Sequence, residues 1–96
     1  MAPDRRLTIR RPHDSVLEIL GRSGRVLVRV ARLVDVSANG ARFTTTLTLR
    51  PGRALRARLR LLGEGVLEIE GRVVWARRRA NSMQYGLAFE SVRRAA

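Results

Sequence analysis

Two short clusters supply the residues of this chain that could do chemistry. Arg6-Leu-Thr-Ile-Arg10 sets two guanidinium groups four residues apart, with Arg5 and Arg11 beside them. Further along, Asp35-Val-Ser-Ala-Asn-Gly40 offers a carboxylate, a hydroxyl and a glycine at fixed spacing. Guanidinium forks match phosphate oxygens and the acceptor edge of guanine better than ammonium groups do. A carboxylate only accepts hydrogen bonds, whereas a hydroxyl both donates and accepts. Taken singly, neither cluster settles anything. The R-x-x-x-R spacing recurs at Arg25/Arg29 and Arg56/Arg60 in a chain whose 20 basic residues are all arginine. The Asp-x-Ser-x-x-Gly run equally describes a hairpin, in which Asp35 and Ser37 bond local backbone and Asn39-Gly40 forms the turn.

Other chemistries lack their residues. There is no cysteine, so disulfides, thiolate metal sites and cysteine nucleophiles are excluded. His13 is the single histidine and is assigned no role. Glu68 and Glu70 share one face of a strand, and their arginine neighbours point to an ion-paired outer surface rather than a catalytic pair. The expectation is a binding protein, not an enzyme, with no metal and no cofactor. Its partner should be anionic, because the formal net charge is +12. An all-arginine basic set also follows from GC-rich coding, so the residue choice alone does not define the ligand. No apolar run is long enough for a membrane span, and the start Met1-Ala-Pro-Asp-Arg-Arg has no signal-peptide stretch, so a soluble cytoplasmic protein without membrane insertion is expected.

The elements that must position these residues are strands. Leu55, Ala57, Leu59 and Leu61 alternate with Arg56, Arg58 and Arg60, the period of a half-buried strand. After Gly63-Glu64-Gly65, Leu67, Ile69, Gly71, Val73 and Trp75 fall on one side, with Glu68, Glu70 and Arg72 on the other. A turn at 63–65 sets Arg60 opposite Glu68, Arg58 opposite Glu70, and Leu59 opposite Ile69. Ser15 to Leu20 and Arg25 to Val34 read as strands joined at Gly21-Arg-Ser-Gly24; Ala41 to Thr46 follows the Asn39-Gly40 turn; Met83 to Phe89 closes the series. About six strands with no helix predict a small antiparallel barrel or sandwich over 15–92. Phe43, Trp75, Tyr85 and Phe89 fall on apolar parity, as core rather than base-stacking surfaces. Residues 1–14 form a basic arm too charged to be core.

Arg6-x-x-x-Arg10, then Asp35-x-Ser37-x-x-Gly40 some twenty to thirty residues later, in a β-rich chain, resemble the PilZ domain family. Gly71-Arg-Val-Val-Trp75 and Tyr85-Gly-Leu-Ala-Phe89 are similar to its later strands, so the resemblance covers nearly the whole chain. It departs at Arg93-Arg94-Ala-Ala, where many members continue into a helix. The resemblance implies a six-stranded antiparallel barrel that binds cyclic di-GMP and signals to a downstream effector protein. It assigns Arg5, Arg6 and Arg10 to guanine edges and phosphates, with Arg11 in reserve. Asp35 would accept from the donor edge of guanine, Ser37 would donate, and Gly40 would leave room for the base. The rival readings are a PilZ-like adaptor that does not bind the nucleotide and a basic nucleic-acid-binding barrel.

Overall fold

The computed structural model describes residues 15–61 and 65–95. Within them lie six strands and no helix: β1 (Ser15–Leu20), β2 (Val26–Val36), β3 (Gly40–Thr45), β4 (Ala54–Leu61), β5 (Gly65–Arg78) and β6 (Met83–Arg94). All neighbours are antiparallel, and the order β1-β2-β3-β6-β5-β4 closes on itself through the β1–β4 pair. The alternation of apolar and charged residues therefore resolves as a barrel rather than a sandwich. Among the described residues no helix is long and apolar enough to cross a membrane.

Closure puts one side of every strand inside. Leu17 and Ile19 of β1, Leu55, Ala57 and Leu59 of β4, and Leu67, Ile69 and Val73 of β5 are buried together with Phe43, Tyr85 and Leu87. Leu49, from the connection between β3 and β4, plugs this core and is 2% exposed. Tyr85 secures the plug. Its hydroxyl accepts from the Leu49 N–H at 2.8 Å and donates to the Leu47 carbonyl at 2.7 Å.

The β4–β5 parity is as the sequence predicts, but the register differs by two residues. Arg58 is paired with Glu68, Arg56 with Glu70, Leu59 with Leu67 and Ala57 with Ile69. The ladder closes one residue earlier than expected, at Leu61 and Gly65. A two-residue slip returns every side chain to its own face, so alternation alone could not detect it. The ion partners change accordingly. Glu70 meets Arg56 at 3.8 Å, Glu68 meets Arg93 at 3.3 Å, and Arg58 turns to Glu18 of β1 at 3.3 Å. The expected ion-paired outer surface is present with different members.

Candidate functional site

Asp35 sits near the end of β2 and Ser37 just beyond it, while Gly40 opens β3. The Ser37 N–H donates to the Gly40 carbonyl at 2.9 Å, and Val36 pairs with Ala41. The two central turn residues are thus Ala38 and Asn39, one position earlier than the expected Asn39-Gly40 turn. That single step decides what Asp35 faces. It places Arg42 directly across the ladder, where a turn at Asn39-Gly40 would have placed Thr44.

Arg42 holds Asp35 in a forked pair. Its Nε donates to both carboxylate oxygens at 3.0 Å, and its second terminal nitrogen also bonds Oδ2. Both side chains remain about half exposed. The hydrogen bond from Arg42 holds the Asp35 carboxyl below the ordinary aspartate range; partial burial opposes this, and the opposite charge of Arg42 adds to it. Asp35 is therefore an ionised acceptor with a fixed orientation and lone pairs still open on its solvent side. The Ser37 hydroxyl accepts from the Asn39 N–H at 3.4 Å, which leaves its own proton to donate.

Gly40 answers a different demand from the one its motif position suggests. Its φ is not among the positive ones, so no turn conformation requires glycine there. A Cβ at this position would lie 2.5 Å from the Leu87 carbonyl oxygen of β6. Gly40 pairs with Ala88, and the Phe89 N–H donates to the Asn39 carbonyl at 2.9 Å. The glycine lets β3 approach β6 closely, and the motif's loop is thereby pinned to the barrel wall.

Trp75 corrects the expectation that all four aromatics are core. Phe43 and Tyr85 are fully buried and pack at 5.6 Å between ring centroids, and Phe89 packs half-buried against the core. Trp75 lies outside. Val73 pairs with Leu87 but Trp75 pairs with Gly86, so a bulge at Val74 flips the parity of β5. The indole lies over Gly86, whose added Cβ would be 2.2 Å from its Nε1. The Arg77 guanidinium stands 5.9 Å from the ring centroid.

The registers now define a continuous exterior row: Asp35 beside Arg42, Arg42 beside Gly86, Gly86 beside Trp75. Four strands contribute one residue each, over three inter-strand steps of about 4.8 Å. One flanking row runs Gly40, Ala88, Arg72 and the other Arg32, Thr44, Gln84, Arg77. The surface is low in the middle, where Gly40 and Ala88 stand, with Gly86 covered by the Trp75 indole, and rimmed by arginines. Among the described residues Arg32 and Arg77 have no carboxylate partner. Arg42 and Trp75 were missed from sequence. A hairpin register would have revealed the first, and nothing in strict alternation could reveal the second. Arg5, Arg6, Arg10 and Arg11 lie outside the described residues.

The described residues thus form a closed six-stranded barrel with a shallow, arginine-rimmed exterior face. The chain belongs to the PilZ domain family, whose sequence model matches residues 4–96, including the arginines of the arm. PilZ domains are a family of cyclic di-GMP receptors and adaptors, not catalysts. No curated protein matches the chain.

Proposed function

We propose that this domain binds cyclic di-GMP on the row from Asp35 to Trp75, with Arg5, Arg6 and Arg10 of the arm closing over it, and passes the change to a downstream effector protein. The observation that carries this reading is the exterior row itself. It joins a fixed, ionised acceptor, a forked guanidinium and the half-buried indole of Trp75 on one arginine-rimmed face. Each suits one part of the ligand. Asp35 can accept from the N1–H and exocyclic amine edge of guanine. Ser37 can donate to a phosphate or base acceptor. Trp75 offers a π face on which a purine stacks, an interaction of about 1–3 kcal/mol per base. The arm's arginines supply the counter-charge for two phosphates and forks for guanine O6 and N7.

Signalling in this scheme uses the arm. The arginines repel one another without an anion, and a ligand with two phosphates removes that repulsion and fixes them. Ordering costs roughly 1–2 kcal/mol per residue in backbone entropy, so net affinity falls below what the contacts alone would give. Amide hydrogen exchange of residues 5–11 with and without the nucleotide tests the step, and unchanged protection refutes it.

The nucleic-acid reading gains one observation, since Trp75 lies on the outer side of β5 and is only half-buried. Single-strand binders line up successive aromatic platforms along a groove. Here Phe43 and Tyr85 are in the core, which leaves one platform and favours a compact ligand. Calorimetric titration with cyclic di-GMP, GTP and single-stranded DNA decides between them. Saturable heat for the cyclic ligand, lost by about ten- to a hundredfold in Arg10→Ala and Asp35→Ala, supports the receptor. Arg58→Ala is the control, because Arg58 is occupied by Glu18 away from the row. An equal loss in the control would reduce the binding to general electrostatics.

A further inference from the structure

The far half of β5 has an open side. β4 pairs with β5 only from Gly65 to Arg72. Val73 is then held by the chain leading into β4, donating to the Arg53 carbonyl at 2.9 Å and accepting from the Gly52 N–H at 2.6 Å. Beyond it, residues 74–78 pair with β6 alone among the described residues. Val74, the bulged residue, is 52% exposed. Ala76 is exposed too, although it pairs with the fully buried Tyr85. The core therefore ends beneath this stretch, and among the described residues no strand pairs with its outer backbone edge.

Two further features lie beside that edge. Arg77, Arg78 and Arg79 have no carboxylate partner among the described residues. A concavity of about 260 Å³ opens at its end, lined by Thr46, Thr48, Arg78, Asn81 and Ser82 together with Ala80 and Met83. Hydroxyls, an amide and one guanidinium make a cradle for a carboxylate.

Unpaired edges attract strands, and proteins restrain them with bulges and charge. Both devices are present here, and they act selectively. A second copy would bring three more arginines against these three, and the chain's own basic arm would meet the same repulsion. An acidic strand meets neither obstacle. We propose that the edge 74–78 receives an extended acidic segment of a partner protein by strand addition, with one carboxylate of that segment seated on Arg78 between Thr46 and Thr48. Main-chain bonds to the edge give affinity, while the arginines and the hydroxyl cradle give the preference for acid.

The test uses the full chain without nucleotide, so its outcome is independent of the receptor reading. Amide hydrogen exchange is followed with a short capped peptide of alternating glutamate and threonine, with its lysine–threonine counterpart, and with oligothymidylate. The glutamate peptide should slow exchange within 74–78 and leave β4, which is paired on both sides, unchanged. The lysine peptide should do nothing. The double variant Arg78→Glu, Arg79→Glu should weaken the glutamate peptide about tenfold or more and admit the lysine peptide. Unchanged core protection at Phe43 and Tyr85 shows that this variant is folded. No protection within 74–78, equal protection by both peptides, or the same amides protected by oligothymidylate would overturn the proposal.

Discussion

Gly40→Ala separates two reasons for the glycine that closes the Asp35–Gly40 motif. If the position is kept open for the ligand, an added methyl should block binding and leave the barrel intact. The geometry supplies a second reason, independent of any ligand. The new Cβ would stand 2.5 Å from the Leu87 carbonyl oxygen, in backbone that is itself paired across β3, β6 and β5. No rotamer change relieves a contact with backbone, so β3 and β6 must part by the better part of an ångström. Overpacking of this kind costs about 1–3 kcal/mol, and a backbone neighbour places it towards the upper end. For a domain of this size that is roughly 5–20 °C in Tm. Gly21→Ala is the matched control: its nearest contact would be 3.9 Å away and its φ is unstrained, so its stability should stay within about 0.5 kcal/mol of wild type. Thermal and urea unfolding of both variants, each titrated with cyclic di-GMP, make the comparison. A Gly40→Ala protein as stable as wild type that no longer bound nucleotide would refute the steric argument.

Three other perturbations follow from the same contacts. Tyr85→Phe strips the partner from both the Leu49 N–H and the Leu47 carbonyl in a buried site, at about 1–3 kcal/mol each; urea unfolding with an unchanged midpoint would contradict the plug's dependence on that hydroxyl. Gly86→Ala pushes against a side chain rather than backbone, so it should displace Trp75, redden the emission of the chain's single tryptophan and weaken cyclic di-GMP, while costing little stability. Asp35 should titrate below the ordinary aspartate range in a carboxyl carbon NMR titration, and Arg42→Ala should return it to that range. Because the folded value is the depressed one, the pair's contribution is complete above the ordinary aspartate pKa and disappears as pH falls through the lowered one. An Asp35 midpoint at or above the ordinary value would count against the forked geometry.

β6 buries Gln84 to Leu87 in succession, but β4 and the first half of β5 were legible because each has a wet side and a dry side. Leu55 to Leu61 and Leu67 to Val73 each carry that contrast residue by residue, and the buried set follows it. Register was not legible, for the same reason: a period of two is blind to slips of two. The β4–β5 ladder and the choice of ion partners were misplaced by that amount. In the β2–β3 hairpin the familiar Asn-Gly turn signal outweighed a plain two-residue turn one step earlier, which hid Arg42 from Asp35. Trp75 was hidden by the Val74 bulge, since one inserted residue inverts every later assignment on the strand. Gly40 was legible as a required glycine, but its reason depends on which strand lies behind it, and only β6 supplies that.

Pairing register also decides where the net charge of the chain can act. Across β1, β4, β5 and β6 one row reads Glu18, Arg58, Glu68, Arg93, alternating in sign at each step, and the adjoining row sets Arg56 against Glu70. Every described carboxylate holds one arginine, and four of the five lie on β1, β5 and β6. Within those two rows the charges balance at short range, and each exposed pair adds only about 0–1 kcal/mol. Arginines without a carboxylate partner among the described residues stand all round the barrel, at Arg29 and Arg32 of β2 and at Arg77, Arg78 and Arg79 beyond Trp75, and also at Arg22, Arg25, Arg50, Arg53 and Arg60. Since screening confines exposed charge to about 8–10 Å, an approaching anion responds to these local groupings and not to the total. Among those groupings Arg77, Arg78 and Arg79 are consecutive, with no carboxylate partner among the described residues, and Arg77 stands over the Trp75 ring.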